Sequence, residues 1–117
     1  MNSYQTALLK ELRDLYGETF QVMVCIEELN ELACVLCKYP RYDDPTEAKQ
    51  KLHDKILDEY TDVTIILDHV KNIFNLSDEE CEKHREAKIQ RIQRWVNAAQ
   101  EGNNTPQQTL IDRVVQN

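Results

Sequence analysis

The sequence has few of the residues that make turns: its 117 residues include only two glycines and three prolines. A β-rich fold needs turn residues roughly every 8–12 positions, so this scarcity argues against an all-β fold and favours a few long helices. The length suits one compact domain of ordinary size. We therefore predict an all-α fold.

Long apolar runs and excess positive charge are also missing. No apolar run approaches the roughly 20 residues of a membrane span, and the polar N-terminus carries no signal-peptide core. The net charge of −7 disfavours a nucleic-acid polymer as the main partner. It permits a nucleotide, because metal ions can bridge acidic side chains to phosphates. We expect a cytoplasmic protein that binds neither membranes nor nucleic-acid polymers.

Four cysteines allow two interpretations. Cys34 and Cys37, with Cys81 and His84, have spacings that imitate a zinc site. All four cysteines also fall inside helical patterns, where cysteine behaves as a small hydrophobe. Reduced, inert thiols are the favoured interpretation, and a zinc site is the alternative.

Capping residues and breakers divide the chain into four main helices. Ser3 is expected to cap the first helix, Gly17 to end it, and Ser77 to begin a capping box with Glu80. The expected helices span about 3–16, 18–37, 46–74 and 77–99, with a loop at 38–45, a linker at 101–106 and a short terminal helix at 105–115. The predicted organisation is a helical domain over 1–100 followed by a linker and tail over 101–117.

Two acidic pairs border the apolar stripes of the second and third helices. The predicted stripes consist of Val22, Cys25, Ile26, Leu29, Leu32, Ala33 and Leu36 in one helix, and Ile56, Tyr60, Val63, Leu67 and Val70 in the other. Glu28 and Glu31 accompany the first stripe, and Glu59 and Asp62 the second. Burying several carboxylates together is unfavourable unless a divalent cation offsets their charge. The alternative interpretation is a set of solvated surface acids.

The fourth helix has a lysine where its stripe calls for an apolar side chain. Lys88 shares the predicted stripe with Cys81, Ile92, Trp95 and Ala99, and Arg91 flanks it. Cations that point into a bundle with an acidic cluster are suited to bind phosphates. The alternative for Lys88 is a side chain whose stem is buried and whose ammonium group reaches solvent.

These motifs together resemble a known family. Glu27–Glu31 (EELNE), 27 further residues and Glu59–Asp62 (EYTD) resemble the EExxE…ExxD motif of the MazG-like, all-α nucleoside triphosphate pyrophosphohydrolases. Tyr16–Gln21, Lys38–Arg41 and Lys88–Arg91 are similar to companion motifs of phage and bacterial members.

The resemblance implies a four-helix bundle completed by a homodimer or tetramer. It also implies Mg²⁺-dependent hydrolysis of a nucleoside or deoxynucleoside triphosphate to the monophosphate and pyrophosphate, with Mn²⁺ as a substitute metal. The implied metal ligands are Glu28, Glu31, Glu59 and Asp62. Glu31 is expected to activate the attacking water, and Lys88 is expected to act on the phosphates with Arg91 or Lys38. Gln21 is expected to contact the base or sugar.

Two alternatives remain at the level of sequence. One is a helical interaction or regulatory protein without catalysis, which would use the same amphipathic helices. The other is a protein of this type that binds nucleotides without turnover.

Overall fold

The computed structural model describes residues 1–39 and 46–102, and within these ranges the chain forms four helices and no strand. The prediction of an all-α fold is confirmed. The helices are α1 (Ser3–Tyr16), α2 (Glu18–Leu36), α3 (Thr46–Ile73) and α4 (Asp78–Gln100). None of the described helices combines the length and apolarity that a membrane span requires. The predicted helix at 105–115 and most of the predicted 38–45 loop lie outside the described residues.

The N-cap of the first helix lies one residue earlier than predicted. Asn2, not Ser3, is its N-cap: the Asn2 side chain accepts a hydrogen bond from the backbone N–H of Gln5 at 2.9 Å. The Gln5 side chain accepts from the Asn2 backbone N–H at 3.0 Å in return. This reciprocal capping box satisfies two backbone donors, which a single Ser3 hydroxyl would not do.

The other helix ends follow the predicted local chemistry. Gly17 adopts φ 89°, a conformation that strongly favours glycine, and separates α1 from α2. The backbone N–H of Glu80 donates to the Ser77 hydroxyl at 3.1 Å, and the Glu80 carboxylate accepts from the Ser77 backbone N–H. The predicted capping box of α4 is therefore confirmed.

The chain divides into two compact units between Asn75 and Leu76. In the first unit, α2 packs along α3, and α1 contacts α2. Cys25 lies near Ile66, and Glu31 lies near Glu59, so α2 and α3 run antiparallel. Their core consists of Cys25, Val63 and Ile66, with Leu32 and Val70 packed against it.

The buried face of α2 differs from the predicted stripe. Gln21, Cys25 and Val35 are buried, and Glu28 and Leu32 between them are partly buried. The predicted stripe members Ile26, Leu29, Ala33 and Leu36 are exposed. Apolar residues surround most of α2, so the apolar pattern alone could not identify the face that packs.

The packing face of α3 is also rotated from the prediction. Ile66, His69 and Ile73 are buried. By contrast, Tyr60 is 58% exposed and Leu67 is 50% exposed. The rotation moves Glu59 inward, to the side that faces α2. Tyr60 was wrongly expected on the packing face.

The fourth helix belongs to the second unit and has no buried residue. Cys81, Arg91, Trp95 and Ala98 are its partly buried positions. Lys88, which the sequence analysis placed in an inward stripe, is exposed in the described structure.

Candidate metal centre and adjoining groove

Three carboxylates from α2 and α3 converge at one point. Glu28, Glu59 and Asp62 each offer an oxygen atom, and these atoms all lie within 4.8 Å of one another. Glu28 reaches this point because it lies one turn from Cys25 and one turn from Leu32 on the packing face. Glu59 and Asp62 are three residues apart on α3 and therefore point the same way. The sequence analysis predicted all three as metal ligands, and the fold brings them together.

Two of these carboxylates have buried oxygens without a hydrogen-bond donor. The Oε2 atoms of Glu28 and Glu59 are shielded from solvent, and neither has a partner among the described residues. Burial and then the charges of Glu31 and Asp62 raise the pKa of Glu28 above its ordinary range. A buried acceptor with no donor is costly, and a cation is one way to satisfy it.

Glu31 lies beside the group of three. Its carboxyl group is in hydrogen-bonding contact with Glu59, and burial followed by the charge of Glu31 raises the pKa of Glu59. A hydrogen bond between two carboxyl groups requires a proton on one of them. In the metal-free site, loss of the proton from Glu59 is therefore less favourable than from a free glutamate. Of the four predicted ligands, Glu31 is the one placed outside the three-membered group.

The donor set fits a hard divalent cation. Mg²⁺ binds oxygen ligands at about 2.0–2.1 Å, so opposite ligands lie about 4.2 Å apart. Three ligands cannot all be opposite one another, so at least two of the three pairs would be adjacent, about 3 Å apart in an octahedron. The carboxylate oxygens, which lie within 4.8 Å of one another, would therefore have to move closer together around the ion. All three ligands are carboxylates, which suit Mg²⁺ or Mn²⁺ better than softer metals.

An apolar groove of about 620 Å³ begins beside the carboxylates. Glu27, Glu31 and Glu59 are its acidic lining residues, and most of the remaining wall comes from α2. Phe20, Met23 and Ile26 line it and are each more than half exposed. The sequence analysis did not select Phe20 or Met23. Their proximity to the EELNE motif on one helix is the signal that could have identified them.

The predicted substrate residues in the first unit have different environments. Gln21 is buried at 3% exposure on the face of α2 that packs, and it is not among the residues that line the groove. Lys38 is exposed just beyond the end of α2. No described contact links Lys38 to the carboxylates.

Lys88 and Arg91 belong to the second unit. Lys88 is exposed and Arg91 is partly buried. Their approach to the acidic cluster stays a prediction.

The cysteines carry no sign of a zinc site within the described residues. Cys34 and Cys37 are exposed and Cys25 is buried, with its thiol 3.8 Å from the carbonyl oxygen of Ile66. Burial raises the pKa of the Cys25 thiol, which keeps it protonated and weakly reactive. Among the described residues, the side chains positioned together to bind a metal ion are the carboxylates of Glu28, Glu59 and Asp62.

Comparison of the chain with family models, with curated proteins and with solved structures finds no match in any of the three.

Proposed function

We propose that this protein is a Mg²⁺-dependent hydrolase that cleaves a nucleoside triphosphate between its α- and β-phosphates. The observation that carries the proposal is the convergence of Glu28, Glu59 and Asp62, two of which have buried oxygens without donors. The resemblance of Glu27–Glu31 and Glu59–Asp62 to the MazG-like motif supports the same reaction.

In the proposed reaction, water attacks the α-phosphorus, the bond to the bridging oxygen breaks, and pyrophosphate leaves. When bound, Mg²⁺ supplies positive charge against the phosphate oxygens and makes nearby water more acidic. Glu31 accepts the proton of the attacking water, since its carboxylate lies beside Glu59 at the edge of the group of three. Glu28, Glu59 and Asp62 would hold the cation, whose positive charge would favour binding of the triphosphate beside them.

The adjoining groove suits the rest of a nucleotide. Its walls are mainly apolar, and a planar base gains free energy by leaving water against side chains such as Phe20 and Met23. Its acidic side contains Glu31 and Glu59, so a base in the groove would place its phosphates near the cation. This arrangement supports a nucleotide over an inorganic polyphosphate as the substrate.

The test is an analysis of products from a panel of nucleoside and deoxynucleoside triphosphates, with Mg²⁺ and with EDTA. We expect metal-dependent formation of the monophosphate and pyrophosphate. The Glu59→Gln variant should lose on the order of 10² in kcat, because an electrostatic contribution to the transition state is removed. Formation of the nucleoside diphosphate and orthophosphate would contradict the proposed cleavage between the α- and β-phosphates. Nucleotide binding without any product would favour the alternative of a binding protein without turnover.

Lys88 is proposed to bind a substrate phosphate, with Arg91 or Lys38 beside it. Lys88→Met should then leave the thermal midpoint near that of the wild type but lower kcat/KM by on the order of 10². Lys83→Met, at another exposed position of α4, is the matched control and should keep full activity. Equal activity of the two variants would remove Lys88 from the phosphate site.

A further inference from the structure

A second cavity lies between α1 and α3, away from the carboxylate cluster. It has a volume of about 230 Å³ and is lined by Thr6, Leu9, Lys10, Arg13, His69 and Asn72. His69 follows Asp62 by seven residues on α3, so the two lie roughly 10 Å apart along the helix axis. Its polar lining contains two cations and no carboxylate, the opposite of the metal centre.

His69 is the unexplained group in this cavity. The residue is only 4% exposed, yet its buried Nε2 atom has no hydrogen-bond partner among the described residues. Leaving a buried polar nitrogen unpaired costs free energy on the order of 1–3 kcal/mol. Native proteins usually satisfy such atoms, so an unpaired one that lines a cavity indicates a missing partner.

The cations around His69 determine what kind of partner fits. Lys10 already donates to Asp14 at 3.0 Å. Arg13 is partly buried, and no carboxylate of the described residues pairs with its guanidinium group. A guanidinium group and an imidazole N–H are both donors suited to oxyanions. The neutral imidazole can carry its proton on either nitrogen, so an acceptor in the cavity would select the Nε2–H form.

We propose that the cavity between α1 and α3 binds a phosphate group, held by the Arg13 guanidinium and by His69 Nε2–H, with Asn72 as an additional polar contact. The volume of about 230 Å³ exceeds that of one phosphate ion and leaves space for a small esterified group. This site does not depend on the proposed hydrolysis, because it uses none of the carboxylates and needs no metal.

The experiment is an NMR titration of metal-free protein with inorganic phosphate, followed through the imidazole nitrogens of the histidines. His53 and His84 are exposed and serve as internal references. We expect the His69 Nε2 resonance to shift and saturate, while matched sodium chloride leaves it unchanged. A parallel titration with a nucleoside monophosphate tests whether the bound phosphate is esterified or free. Tighter binding of the monophosphate than of inorganic phosphate identifies an esterified phosphate, and equal binding of the two identifies the free ion.

Arg13→Gln should weaken phosphate binding by about tenfold or more, since it removes a charge-assisted hydrogen bond. Arg94→Gln, at an exposed position of α4, is the matched control and should bind as the wild type does. His69→Gln provides a second variant, and Arg13→Gln keeps the test valid if that buried substitution unfolds the protein. An unshifted His69 resonance at millimolar phosphate, or equal affinity in Arg13→Gln and Arg94→Gln, would overturn the proposal.

Discussion

At the scale of single residues, Glu28 has the most consequential position. It occupies the centre of the α2 packing face, between Cys25 and Leu32, where an apolar side chain would fit the core. Its pKa is raised by burial and by neighbouring carboxylates, so its ionised form destabilises the metal-free fold. A divalent cation would reverse this effect, which links metal binding directly to stability.

The pH dependence of metal-free stability tests this link. Because the pKa values of Glu28 and Glu59 are raised, the folded state binds more protons than the unfolded state above about pH 4.5. Their unfavourable contribution is therefore greatest near neutrality and fades as the pH falls towards 5. His69 acts in the opposite direction below about pH 6.5, since burial and Arg13 lower its pKa. Both the wild type and a Glu28 variant contain His69, so the contribution of His69 cancels when the stabilities of the two proteins are compared.

We expect Glu28→Gln to raise the metal-free Tm at pH 7 by on the order of 2–4 °C, with a smaller gain at pH 5. Mg²⁺ should raise the Tm of the wild type and have much less effect on the variant. Glu86→Gln, an exposed change on α4, is the control. The Tm of the wild type and of both variants is measured by thermal unfolding, with circular dichroism as the signal. A Glu28→Gln protein no more stable than Glu86→Gln at pH 7 would count against an unfavourable charge at this position.

At the scale of the helices, the ends were predicted better than the faces. Caps and breakers act within a few residues, so Gly17 and Ser77 could be identified locally, and only the choice of Ser3 over Asn2 was wrong. The packing face depends on contacts between distant residues. In α2, apolar residues extend over most of the circumference of the helix. The apolar pattern predicted that Ile26 would face the core, but Ile26 is exposed and Val35 is buried.

The candidate site was also predicted only in part, because some of its residues are identified by local spacing and others only by contacts between distant helices. Glu28, Glu59 and Asp62 were identified because their spacing and surroundings set them apart, and their convergence required only that α2 and α3 pack together. His69 was missed because a single histidine within an apolar helix pattern gives no indication of its partners. Its relation to Arg13 on α1 follows from the fold and from no local motif.

The corrected face of α3 can be tested by two neighbouring substitutions. Ile66 is 8% exposed in the core, whereas Leu67 beside it is 50% exposed. Ile66→Ala should lower the free energy of unfolding by about 2–4 kcal/mol, the usual result of removing a buried aliphatic side chain. Leu67→Ala should cost less than about 1 kcal/mol. Urea unfolding measures both, and a larger loss for Leu67→Ala would restore the face predicted from the sequence.

At the scale of the whole molecule, the small core is the main feature. Six hydrophobic residues are buried among those described, and none of them is fully buried. Leu8, Leu12 and Leu15 share one face of α1 and are all exposed, as are Met23 and Ile26 of α2. Association with further copies would cover these apolar side chains and would add stability to such a small core.

We therefore expect a dimer or tetramer in solution. Light scattering at micromolar concentration should give a mass that is a multiple of 13.8 kDa. Leu15→Asp, at a position that is 71% exposed, should shift the protein towards the monomer, because a charge would be buried in an apolar contact. Ala7→Asp, away from the leucine face of α1, should not. A wild-type mass near that of one chain would contradict self-association.

Binding of Mg²⁺ to the metal-free protein, measured by isothermal titration calorimetry, tests the central claim most directly. The acidic cluster should bind the cation in the wild type and equally in Glu86→Gln, whose carboxylate lies on an exposed face of α4. Glu59→Gln should weaken the affinity by at least about tenfold, because it replaces one of three converging carboxylates. Mn²⁺ should show the same order among the three proteins. A wild-type protein that binds neither cation, or a Glu59→Gln variant that binds Mg²⁺ as tightly as Glu86→Gln, would contradict a metal centre at Glu28, Glu59 and Asp62.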